Sequence, residues 1–311
     1  MVATETACNP TVAHLYFDGK QRNKIQEDSS LTTLPPEILK HCLVDYLDWG
    51  DLAKLSTVQS SWKTLLIDAA RFGGCKAKWE LAEAMLNGKR GLTKNPEQAV
   101  TLFREMAGVR LDFHNKKESD KTETESTAVS VERTKEPFSP AMKRIAECYL
   151  KGVGVETNRD LGVRWLQVAY EVANDVDAAH TLAVLYEHGK FAVEIDVYRA
   201  AEWFLKAAQG GHTEAMAEYG LCCELGCGRD QSDEEALDWY MRAANNGHTT
   251  AKYSVGEAFE EARGVPQSDE EACLWYYKAA VEGDVDSKRA LRRLHDIARI
   301  VVPGVAAILD V

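Results

Sequence analysis

Basic residues are in the minority in this chain: 37 Lys and Arg stand against 49 Asp and Glu, a formal charge of −12. That balance excludes nucleic acid as the expected partner, because binding there depends on basic clusters displacing counterions. It excludes an anionic membrane surface in the same way. No apolar run approaches the roughly 20 residues of a membrane span. Met1 to Lys20 has no basic start followed by an apolar core, so no secretory signal is expected. Proline is scarce, 8 in 311 residues, while alanine and glutamate are frequent, which points to helix.

Catalytic and metal-binding signatures are missing as well. The eight cysteines lie scattered through apolar patterns, as reduced buried thiols do in a cytoplasmic or nuclear protein. Cys222, Cys223 and Cys227, with His188 or His212 nearby in sequence, lack the paired CxxC-type spacing of a zinc site. Gly152-Val-Gly154 and Gly226-Cys-Gly228 lack the third glycine and the preceding strand of a dinucleotide loop. There is no Gly-x-Ser-x-Gly, Walker or HExxH sequence. The expectation is a non-enzyme with no metal and no cofactor.

What the chain has is self-similarity, which is read before anything else. Trp203, Trp239 and Trp275 are spaced by 36 residues, as are the pairs Ala207-Ala208, Ala243-Ala244 and Ala279-Ala280 and the glycines Gly211, Gly247 and Gly283. Five units start on Ala77, Ala141, Ala178, Ala215 and Ala251. Four carry a glycine eleven residues later, at Gly88, Gly152, Gly189 and Gly226; the fifth has Ala262 there, with Gly264 close behind.

Each unit reads as two helices. In the first, apolar residues fall at offsets 0, 4, 5 and 8 from the starting alanine, as in Ala178, Leu182, Ala183 and Tyr186, one face of a 3.6-residue helix. The glycines that follow supply the positive φ that stops it. Ser232-Asp-Glu-Glu235 and Ser268-Asp-Glu-Glu271 read as capping boxes, and Asn95-Pro96 as a cap followed by proline at the first helical position. The second helix carries Ala236, Trp239, Tyr240, Ala243 and Ala244. Such a pair cannot bury its stripe alone, whereas stacked pairs share a continuous core. His212 and His248 recur at equivalent places after the glycine, a structural repetition.

The pattern Ala…Leu-Gly/Ala…Tyr…Gly-x-Gly-Val…Ala-x-x-Trp-[Tyr/Phe]…Ala-Ala…Gly resembles the Sel-one-like repeat, a relative of the tetratricopeptide repeat. It covers residues 77–107 and 141–284; the first unit departs from it, with Leu102 for the tryptophan and Met106-Ala107 for the paired alanines. The resemblance implies an α-solenoid that binds proteins. Residues 108–140, charged and without apolar period, are expected to be a disordered insertion. Residues 285–311 read as a capping helix followed by an apolar tail.

Residues 31–66 form a second module, after a flexible tail over 1–30 and before a linker over 67–76. Three short helices are expected: one after Leu34-Pro35-Pro36, one capped by Asp51, one carrying Val58, Trp62 and Leu65-Leu66. About 36 residues hold too little core to stand comfortably alone. Leu-Pro-x-Glu-Ile-Leu…Tyr-Leu-Asp…Asp-Leu-x-x-Leu-x-x-Val…Trp-x-x-Leu resembles the F-box motif along its whole length. By resemblance, Leu34, Pro35, Ile38, Leu39, Leu43, Leu52, Leu55, Val58 and Trp62 would carry the contact to a Skp-type adaptor and, through it, to a cullin–RING ubiquitin ligase. Ordinary helix-core packing is the alternative for each.

The expected fold is therefore all-α: a three-helix F-box module and a solenoid of about five hairpins. The expected role is substrate receptor of an SCF-type ligase, holding an unknown protein substrate; a scaffold outside ubiquitination is the alternative. In the helical-hairpin family the first helices line the concave groove. Offsets 2 and 6 point away from the apolar stripe, which nominates Trp79, Glu83, Lys143, Glu147, His180, Val184, Ala217, Leu221, Tyr253 and Glu257. Trp79 and Tyr253 are the expected aromatic anchors, with packing against neighbouring helices the alternative for Trp79.

Overall fold

The computed structural model describes residues 75–89, 92–113, 129–133 and 137–298. The F-box-like segment lies outside them, as does the apolar tail after Ala298. The chain divides into two compact units, one reaching to Met106 and one beginning at Ala107.

In the first unit, helix α1 (Cys75–Asn87) turns at Gly88, φ +65°, into α2 (Pro96–Ala107). Asn95 starts α2 as expected: its side chain accepts the Gln98 N–H at 3.1 Å, and Pro96 occupies the first helical position. Leu81, Ala82, Ala99, Val100 and Phe103 close the core between them.

The second unit begins with a correction. The ends of the charged insertion are ordered as an antiparallel ribbon, β1 (Val109–Phe113) against β2 (Val129–Arg133), with Leu111 opposite Val131 and Phe113 opposite Val129. Both segments alternate apolar and polar residues, the period of a half-buried strand.

Among the described residues nine α-helices follow: α3 (Ser139–Lys151), α4 (Arg159–Ala173), α5 (Val176–His188), α6 (Val197–Gln209), α7 (Thr213–Leu225), α8 (Asp233–Asn245), α9 (Thr249–Glu261), α10 (Asp269–Val281) and α11 (Val285–Ala298). Each packs against its neighbours in sequence, hairpin after hairpin. The architecture is an all-α solenoid, with the ribbon as an inserted ornament. Offsets 0, 4, 5 and 8 are the buried stripe in α5, where Ala178, Leu182, Ala183 and Tyr186 are all inaccessible. The paired alanines of α6, α8 and α10 are buried where successive helices approach.

The first helix of each of these hairpins ends on a left-handed residue: Gly152, Gly189, Gly226 and Ala262, with φ between 57° and 68°. The second loop glycine has a different duty. A β-carbon on Gly264 would stand 2.5 Å from the backbone of Asp233, and one on Gly228 would collide with the Val197 carbonyl oxygen. In both cases the loop is pressed onto the start of the preceding hairpin's second helix. The α5 loop lacks that glycine and instead bends through Phe191 and Ala192, φ 57° and 60°, with the Arg159 guanidinium donating to the Ala192 carbonyl at 3.0 Å.

Asn158, Asp196, Ser232 and Ser268 cap the second helices. The two expected capping boxes are only half formed. The Ser232 hydroxyl accepts the Glu235 N–H at 3.3 Å, but the Ser232 N–H donates to the Cys223 carbonyl, and the Glu235 carboxylate turns instead to Arg229 and Tyr219. The Ser268 N–H likewise donates to the Phe259 carbonyl. The first helix of the hairpin thus supplies, for the cap residue's N–H, the acceptor that the glutamate carboxylate would provide in a full capping box.

Candidate interaction surface

The exposed face of the first helices is built from residues that the buried stripe turns outward. Structure separates the two offsets nominated from sequence. Offset 2 is spent on packing, between repeats at Lys143 and His180 and within the hairpin at Trp79 and Tyr253. Lys143 lies 3.0 Å from Asp175 and 3.2 Å from Asp177 of the next hairpin. His180 stacks on His212, ring centroids 4.3 Å apart, and also faces Phe204. Tyr253 leans on the Tyr276 ring and donates its hydroxyl to Glu257 at 2.8 Å. In the first unit, Trp79 packs edge-on against Phe103, and Glu83 accepts from Asn87. Trp79 and Tyr253 are therefore half-buried packing residues and not projecting anchors.

Offset 6 is more open. Glu147 pairs with Arg144 and Lys151 of its own helix. Val184 is half-buried, and Leu221 is 40% exposed. One turn on, Leu225 is 61% exposed. Glu218, Leu221 and Leu225 recur at spacings of three and four, so they form one stripe along α7. Sequence reasoning missed Glu218 and Leu225, although the spacing from Leu221 was available.

A row of helix caps ties the repeats together along one end of the first helices. Asp175 accepts the Ala178 N–H at 3.0 Å and also bonds Ser139 and Lys143 of the preceding hairpin. Burial alone would raise the Asp175 carboxyl, but the Ser139 and Lys143 hydrogen bonds and the Ala178 amide hold it below the usual carboxylate range. His212 and His248 play the same part with imidazoles. His248 Nδ1 accepts the Ala251 N–H at 3.0 Å, while Nε2 lies 3.0 Å from Glu214 of the hairpin before. His212 Nδ1 accepts from Ala215, with Nε2 3.7 Å from Asp177. Their repetition in sequence is this capping role.

A second row runs along the other end. The Tyr240 hydroxyl donates to Glu224 at 2.7 Å, and Arg263 of the next hairpin pairs with the same carboxylate. The Tyr276 hydroxyl donates to Glu260 at 2.8 Å, and Arg293 of α11 joins at 2.6 Å. The α7–α8 hairpin is thus stapled to the next hairpin, and the α9–α10 hairpin to α11, by a tyrosine, a glutamate and an arginine. Cys222 and Cys223 are buried behind this row, their thiols pushed up to about 12 by burial first and by neighbouring carboxylates second. Cys227 is exposed in the loop.

The Sel1 repeat family matches residues 75–107, 139–172, 176–212, 213–248 and 249–284, more than half of the chain. The chain belongs to that family. Among solved structures it is similar to a Sel1 repeat protein from Oxalobacter formigenes, at 22% identity and a TM-score of 0.51, over 76% of this chain and 84% of that one. It is also similar to c5321, a protective antigen present in uropathogenic Escherichia coli strains, which displays the same type of repeat fold. There the identity is 17% and the TM-score 0.62, over 98% of this chain; the likeness spans only 55% of that longer protein. Both likenesses concern the fold. No curated protein matches the chain. Sel1 repeats are protein-interaction scaffolds, and no helix among the described residues is long and apolar enough to cross a membrane.

Proposed function

We propose that the chain is a non-catalytic adaptor that holds a protein partner on the exposed face of its first helices and docks, through residues 31–66, onto a Skp-type adaptor of a cullin–RING ubiquitin ligase. The observation that carries the binding half is the open stripe on α7: Leu221 and Leu225 present apolar surface to solvent, whereas among the described residues the other large apolar side chains of the hairpins' first helices are buried or half-buried. The docking half rests on the F-box resemblance of residues 31–66, which lie outside the described structure. In this reading ubiquitin transfer is performed by partners, and the chain acts by proximity, raising the effective concentration of a substrate lysine near the conjugating enzyme.

Reconstitution with purified Skp-type adaptor tests the docking. Wild-type chain should form a stoichiometric complex, and Leu34→Ala with Pro35→Ala should abolish it while leaving the helical signal of the repeats intact. Undiminished binding by the double variant contradicts the docking assignment. Failure of the wild type to bind the adaptor leaves a scaffold that acts outside ubiquitination.

A further inference from the structure

Three first helices carry a glutamate at the staple position, and at one of them the staple is incomplete. Glu224 and Glu260 stand nine residues after their starting alanines, and Glu187 occupies that position in α5. Glu224 is served by Tyr240 and by Arg263, and Glu260 by Tyr276 and Arg293. At Glu187 the residue equivalent to the tyrosine is Phe204, which has no hydroxyl, and the residue equivalent to Arg263 is Cys227. The surroundings change with them. Arg263 is flanked by Glu257 and Glu261 of its own hairpin, at 3.6 and 3.2 Å. The equivalents beside Cys227 are Leu221 and Leu225, both exposed.

The charge at this register is correspondingly uncompensated. The one ionic neighbour of Glu187 among the described residues is the adjacent His188, at 3.4 Å. Glu218, one turn before Leu221, makes no hydrogen bond or ion pair among the described residues. Burial first, then Glu187 and Glu214, push its carboxyl above the usual range, against weaker opposition from His248 and His188. At Glu224 and Glu260, the equivalents of Glu187, a guanidinium compensates the charge.

We propose that the face formed by Glu187, Glu218, Leu221 and Leu225 is the receptor for an arginine-bearing segment of a partner protein, its aliphatic stem lying over the two leucines and its guanidinium taking the place on Glu187 that Arg263 takes on Glu224. The geometry is charge-complementary, since a planar guanidinium satisfies carboxylates by charge-assisted hydrogen bonds. An arginine stem covers apolar surface while its head stays on the polar rim. Glu257 and Glu261 hold an arginine the chain already owns; Leu221 and Leu225 suit one whose flanking residues come from outside. This inference rests on the reading of the first-helix face as a partner-binding surface.

The test uses the full chain as bait for a phage-displayed library of random dodecapeptides. Selected peptides are resynthesised with each arginine intact or replaced by citrulline, its neutral isostere, and binding is measured by fluorescence polarisation. The expected result is enrichment of arginine beside apolar residues. Affinity should fall at least about tenfold on citrulline replacement and on Glu187→Gln, the scale of one charge-assisted hydrogen bond. Cys227→Arg, which supplies the guanidinium from within, should lower binding to a similar degree while circular dichroism stays unchanged. Selected peptides without arginine, or binding indifferent to citrulline, Glu187→Gln and Cys227→Arg alike, would overturn the proposal and leave the binding face standing. Selection of no peptide by the wild-type chain would count against the binding face itself, and the proposal with it.

Discussion

Gly256 lies directly under the ring of Tyr276: a β-carbon at position 256 would stand 2.6 Å from Cε1 of a side chain that is itself fully buried. The same relationship recurs between Gly220 and Tyr240, at 2.9 Å. A glycine inside a helix costs about 1 kcal/mol relative to alanine, so its presence twice at one offset marks the ring as the reason. Gly256→Ala is expected to destabilise the chain by about 1 to 3 kcal/mol, the cost of overpacking exceeding the gain in helix propensity. Thermal unfolding followed at 222 nm reads this as a lower midpoint; a raised midpoint would show that the ring has room to move.

Ala262 closes α9 at φ 57°, where the other hairpins of the second unit use glycine. Left-handed backbone strains a residue with a β-carbon by roughly 1 to 2 kcal/mol. Ala262→Gly should therefore stabilise by about 1 kcal/mol after the added freedom of the unfolded chain is subtracted. Chemical denaturation with an unchanged slope and a higher midpoint is the expected signature, and a lower midpoint contradicts it.

Asp175 ties two hairpins through Ser139 and Lys143, and its carboxyl is held below the usual range. A carboxylate depressed in the folded state contributes stability that is present above its unfolded value and lost as pH falls through its folded value. Asp175→Asn keeps an oxygen for the Ala178 amide but removes the charge facing Lys143. The variant should be about 1 to 2 kcal/mol less stable than wild type at pH 7. That difference should shrink as pH falls below about 4, the unfolded aspartate range. A difference that persists unchanged at pH 2.5 would mean that packing, not charge, carries the effect.

Much of the fold was legible because a solenoid repeats its own pattern. Trp203, Trp239 and Trp275 set the period, and offsets 0, 4, 5 and 8 in α5 proved to be the buried stripe. The ribbon of Val109–Phe113 and Val129–Arg133 was overlooked because a charge-rich stretch between the strands dominated the reading, although each strand alternates on its own. The capping boxes failed at Glu235 because Arg229 and Tyr219 compete for its carboxylate. Offset 2 was misjudged for a related reason. Helical spacing tells which side chains leave the hairpin's own stripe, but it does not tell which of them meet the next repeat. His180 on His212 and Lys143 on Asp175 and Asp177 are contacts across 32 to 34 residues. The staple from Glu224 to Arg263 could have been found by aligning the repeats on their glutamates, a comparison that the apolar anchors did not prompt.

The two halves of the adaptor reading separate in one measurement: quantitative affinity purification of the full chain from cells, comparing wild type with Leu34→Ala/Pro35→Ala and with Leu221→Ser/Leu225→Ser. The account predicts that the first variant loses the Skp-type adaptor and the cullin while keeping its other partners. The second should keep adaptor and cullin while losing the others, both variants retaining wild-type helicity. Co-loss of both partner sets in either folded variant, or retention of all partners in both, would contradict a chain that bridges a ligase at one end and a captured protein on its solenoid.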